Sequence, residues 1–112
     1  MTQASVIVDR KQRALDIRQR IESLATVKWA DISGQAYDTL SHSHVRLRLH
    51  LLISNVEVAD QHRMLGAVIA LANAYGATSN MIHGRSSSAK VQRIQFDEWE
   101  ELLEYVESAA FS

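Results

Sequence analysis

The chain has no cysteine, no proline, four glycines and only 6 per cent aromatic residues among its 112. Without cysteine there are no disulfides, no thiolate zinc or iron–sulfur sites and no cysteine nucleophile. Without proline the usual mark of a linker is missing, and no internal repeat or low-complexity tract divides the sequence. Long hydrophobic runs are absent too. The longest apolar stretch, Met64 to Ala72, is about half a membrane span and ends at Asn73, so it reads as part of a buried helix. Met1 to Val8 has no basic region followed by an apolar run, which is not the pattern of a secretory leader. A cytoplasmic location without membrane contact is the expectation.

What remains is globular composition: 46 per cent apolar and 22 per cent charged residues, enough for one domain over 1–112 with its own core. The net charge of −1 hides an uneven layout. Asp9 to Lys28 carries six basic and three acidic residues, and Arg85 to Arg93 carries three basic residues and no acid. From Asp97 onward there are six carboxylates and no lysine or arginine. Overall charge does not suit a strongly basic nucleic-acid binder, whereas separated patches of opposite sign suit local binding or head-to-tail contact.

Asp9 with Gln12 resembles a capping box, and Ala14, Ile17, Ile21 and Leu24 recur at helical spacing, which predicts a helix over Asp9 to Ala25. Val27 to Tyr37, around Gly34, suits a short bent strand. His44 to Ser54 alternates strictly: Val45, Leu47, Leu49, Leu51 and Ile53 on one side, His44, Arg46, Arg48, His50 and Leu52 on the other. This predicts a strand with one covered and one open face. Ser54 with Glu57 resembles a second capping box and Gly76 a stop, giving a helix from about Asn55 to Tyr75. Thr78 to His83 and Ala89 to Phe96, on either side of Gly84, Arg85 and three serines, read as a hairpin. Asp97 then caps a last helix with Trp99, Leu102, Leu103, Val106 and Ala110 on one stripe.

The order αββαββα predicts an α+β fold, a four-stranded antiparallel sheet with helices on one face. If Ala4 to Val8 is a strand, the alternative is ferredoxin-like βαββαβ plus a C-terminal helix. The first order, with Trp29 before a strand, is similar to that of the pterin carbinolamine dehydratases. The paired histidines followed by proline that mark that family are missing, so no activity follows from the similarity.

No catalytic residue, metal or cofactor is assigned. His44 and His50 would lie about 20 Å apart on a strand, too far to share an ion, and only His42 and His44 could pair. Ser86, Ser87 and Ser88 read as a turn, since no histidine is placed to activate them. The open strand face carries the best lead. Arg46, Arg48 and His50, joined by Arg93 from the last strand and by Arg85 and Lys90 from the basic arm, have the chemistry that reads carboxylate or phosphate by directed hydrogen bonds.

Helix Asn55 to Tyr75 is apolar on two sides. If Val58, His62, Leu65, Ile69 and Ala72 cover the sheet, Met64, Ala67, Leu71 and Tyr75 are left as an oligomer interface. The reading that follows is a non-enzymatic homo-oligomeric module, a homodimer or small ring, that binds a protein segment or anionic ligand across a basic sheet face. A nucleic-acid-binding accessory protein ranks second, because the sheet lacks exposed aromatics for base stacking. A small enzyme of unknown reaction ranks third.

Overall fold

The computed structural model describes residues 3–28, 30, 42–83 and 93–111. Among these residues there is no strand and no sheet, and all except Val56, Glu57 and His83 are helical. The α+β fold is therefore overturned in favour of an all-helical one. Four helices are described: α1 (Gln3–Ser23), α2 (His42–Leu51), α3 (Val58–Ile82) and α4 (Arg93–Phe111). A π-helical turn, Leu24–Lys28, extends α1, and a 3-10 turn, Leu52–Asn55, follows α2. Helix α1 packs on both α3 and α4, α4 packs on α3, and α2 lies against α3 and the end of α1.

The helical stripe of α1, Ala14, Ile17, Ile21 and Leu24, is its buried face, and the π turn keeps Ala25 inside as well. Residues 4–8, the alternative first strand, are helical. Val27 and Lys28, the start of the proposed bent strand, belong to the π turn, and the rest of that strand falls mostly outside the described residues.

The largest correction is at His44 to Ser54. Strict alternation suggested a strand, but the residues form α2 and the 3-10 turn after it, where Val45, Arg48, Leu49 and Leu52 are buried. Those positions are one, four, five and eight, the spacing of a single helix face. Leu47 and Leu51, assigned to the covered face, are 61 and 46 per cent exposed. Residue type explains the outcome: four of the apolar residues are leucine, which favours helices over the β-branched types that favour strands.

The supposed capping box at Ser54 acts backward. Its hydroxyl donates to the Leu51 carbonyl at 2.8 Å, satisfying the end of α2, while the extended Glu57 precedes α3 and its carbonyl accepts from the Asp60 N–H at 2.9 Å. Gly76 does not end α3. The helix continues through Thr78, whose hydroxyl donates to the carbonyls of Ala74 and Tyr75 at 2.8 and 3.1 Å, so that a buried polar side chain is satisfied inside the helix. The strand expected over Thr78 to His83 is thus the last turns of α3. Residues 84–92, which include the first half of the second hairpin strand, lie outside the described residues, and Arg93 to Phe96 are helical.

Helices α1 and α4 are joined along a charged seam. Arg13 donates through Nε and Nη2 to Glu100 at 3.0 and 2.8 Å and through Nη2 to Asp97 at 2.8 Å. Seven residues later Arg20 pairs with Glu107. The step from Arg13 to Arg20 equals that from Glu100 to Glu107, so the two helices run side by side in the same direction. Burial lowers the proton affinity of the Arg13 guanidinium, but its hydrogen bonds to Asp97 and Glu100 more than offset it and leave its pKa raised. The acidic last helix is therefore partly neutralised within its own chain, contrary to the expectation that its counter-charges come from elsewhere.

Candidate functional site

The residues expected to bind a ligand are separated by the helical geometry of α2. Successive residues turn by about 100°, so Arg46 and His50 share one side while Arg48 is about 200° from Arg46. Arg46 is exposed and His50 half-buried, whereas Arg48 is 5 per cent exposed and turned into the protein. The correction is physical: on a strand all three would point one way, and on a helix they cannot. Arg93 is exposed at the start of α4, on a different element. Arg85 and Lys90 lie outside the described residues.

Arg46 and His50 line a groove of about 210 Å³ between α2 and α3, closed on the α3 side by Ile69, Ala72 and Asn73. His50 Nδ1 lies 2.8 Å from the Arg46 carbonyl. A carbonyl can only accept, so this nitrogen donates, which leaves Nε2 toward the groove's other contacts. No described carboxylate pairs with the Arg46 guanidinium. Beside it Ile69 is 46 per cent exposed, and Leu65, one turn earlier, is 37 per cent exposed. The groove thus combines a cation with no described counter-charge, a histidine and an apolar wall.

The oligomer interface expected from sequence is inverted. Met64, Ala67, Leu71 and Tyr75 are all buried inside the chain, between 0 and 5 per cent exposed. Of the stripe assigned to the sheet, Val58, His62, Leu65 and Ile69 face outward, with Val58 83 per cent exposed, while Ala72 is half-buried against the core. Two apolar stripes were distinguished correctly, but α1, and not a second subunit, covers the richer one. Tyr75 illustrates this: its hydroxyl donates to Glu22 of α1 at 3.0 Å, and Arg18 lies 5.3 Å from its ring centre.

Sequence reasoning missed a second groove, of about 360 Å³, between α3 and α4. Ala67, Leu102 and Tyr105 give it an apolar lining, and Arg63, Glu98 and Glu101 stand around it. The Arg63 guanidinium sits 4.0 Å from the centre of the Tyr105 ring. Glu98, Glu101 and Glu104 are exposed and make no ion pair among the described residues. The spacing of Ile94, Glu98 and Glu101, at four and three residues, could have marked them as one face of a helix.

Comparison with protein-family models, curated proteins and solved structures gave no match. The site must therefore be read from its own chemistry. Among the described residues no group of three histidine, aspartate or glutamate side chains is placed to hold a metal ion. No described helix is long and apolar enough to cross a membrane.

Proposed function

We propose that the chain is a non-enzymatic helical interaction module whose α2–α3 groove takes an acidic, amphipathic protein segment. The observation that carries this reading is the juxtaposition of Arg46 and His50 with the half-exposed Ile69 in one groove. The basic sheet face of the sequence reading is not retained, since α2 is a helix. A small anion is a poorer fit than a peptide, because turning Arg48 inward leaves one arginine where a row was expected. An apolar wall beside a single cation matches a helix that carries both apolar and carboxylate side chains.

The test is titration of the labelled protein with two amphipathic helical peptides of equal length, one bearing glutamates and one bearing lysines on the polar face. The glutamate peptide should bind and perturb residues around Arg46, His50 and Ile69 in NMR spectra. Arg46→Ala and Ile69→Ser should each weaken that binding several-fold, and added salt should weaken it further. Equal binding of both peptides, or perturbation confined to other surfaces, would remove the groove from consideration.

A further inference from the structure

We infer that the segment received by the α2–α3 groove is helix α4 of a second copy of this chain, an inference that rests on the reading just given. Helix α4 carries two rows of carboxylates with different fates. Asp97, Glu100 and Glu107 face α1 and pair with Arg13 and Arg20. Glu98 and Glu101 face outward and, like the exposed Glu104, meet no described cation. Arg63, which lines the same groove as Glu98 and Glu101, is stacked on Tyr105.

The outer row is not purely polar. Ile94 is 60 per cent exposed and lies one turn before Glu98 and two before Glu101, so the face presents an apolar side chain followed by carboxylates. The groove presents the converse, an apolar Ile69 beside Arg46 and His50. Each surface holds what the other lacks, and both belong to the same chain. Complementary charge fixes orientation and speeds encounter, while contact between the isoleucines removes apolar area from water.

The two surfaces are different patches, so the contact is head-to-tail: each copy offers one groove and one outer α4 face. Such contacts close into a ring when the rotation between copies allows and otherwise extend as a chain. Either way the mass rises with concentration and falls with salt.

Two double variants, all at exposed positions, separate the halves of the contact. Arg46→Ala with Ile69→Ser spoils the groove alone, and Glu98→Lys with Glu101→Lys spoils the α4 face alone. Wild type should rise above monomer mass in sedimentation between micromolar and millimolar concentration, and each variant should remain monomeric with unchanged circular dichroism. Mixed one to one, the variants still share one intact groove and one intact face, so they should form a heterodimer that grows no further. A wild type that stays monomeric at every concentration overturns the inference, as does a mixture that fails to pair. The two readings remain distinguishable, because a monomeric wild type that still binds the glutamate peptide loses only self-docking, whereas failure of both removes the groove itself.

Discussion

The α1–α4 seam and the α2–α3 groove are built from the same residue types and come to opposite ends. In the seam, Arg13 is half-buried, holds two carboxylates in a fork and lies 5.1 Å from the Phe96 ring centre. In the groove, Arg46 is exposed, meets no described carboxylate and borders apolar side chains that are themselves open to water. An arginine whose donors are filled by its own chain fixes the packing of two helices. One that meets no described carboxylate, next to a half-exposed isoleucine, is placed to recognise another segment. Position along the chain does not distinguish the two; the partner helix does.

The largest expected effect lies in the core between these regions. Leu71 is fully buried, so Leu71→Arg puts a cation where nothing solvates it and should cost more than about 4 kcal/mol, enough to unfold a domain of this size. Loss of the helical circular dichroism signal is the readout. A soluble, folded, smaller species, the outcome expected if Leu71 were part of a subunit interface, would contradict its placement under α1.

Three arginines then rank the comparison more finely. Arg48→Gln, at a buried position, should destabilise by about 2 kcal/mol, since the contacts of a buried charged group are broken without water to replace them. Arg13→Gln should cost about 1 kcal/mol, discounted because its side chain is 30 per cent exposed and solvent screens the seam. Arg46→Gln should stay within about 0.5 kcal/mol of wild type. Urea denaturation of the three variants measures the order. Equal effects at Arg46 and Arg48 would mean that the two share a face, as on a strand, and would refute the helical assignment of α2.

That last comparison also shows what the sequence could and could not convey. Arg46 and His50 share a side under either period, two residues or 3.6, so the pairing survived the change from strand to helix. Arg48 shares it only under the period of two and was lost. The ambiguity arose because Val45, Leu47, Leu49, Leu51 and Ile53 satisfy alternation while Val45, Leu49 and Leu52 satisfy helical spacing, and only the preference of leucine for helices could have decided. Helix α3 posed a different problem. Its two apolar stripes are visible in the spacing, but which one faces inward depends on α1, whose packing partner no local pattern announces. The seam was missed for the same reason: its residues are 84 and 87 positions apart.

The subtlest expected effect concerns the link between α1 and α3 at Tyr75, a hydroxyl held against a carboxylate. Burial raises the pKa of the Tyr75 hydroxyl above its ordinary value, and its hydrogen bond to the Glu22 carboxylate acts in the same direction, while Arg18 opposes them. Tyr75→Phe removes that hydrogen bond and should cost about 0.5 kcal/mol at neutral pH, the low end for such a bond because Glu22 keeps Arg18 at 3.3 Å as a partner. The pH dependence is the sharper test. A raised pKa means that the folded state holds the proton more tightly than the unfolded chain, whose tyrosines ionise near pH ~10. The stabilisation is therefore complete below that pH and is lost as pH rises through the folded-state value. Urea denaturation of wild type and Tyr75→Phe from neutral to strongly alkaline pH should show the wild-type advantage shrinking above pH ~10, because phenylalanine has no proton to lose. Every group other than Tyr75 is common to both proteins and cancels in the difference. A difference that stays constant across the alkaline range would show that the Tyr75 hydroxyl is hydrated alike in both states, and that α1 does not cover α3 at this point.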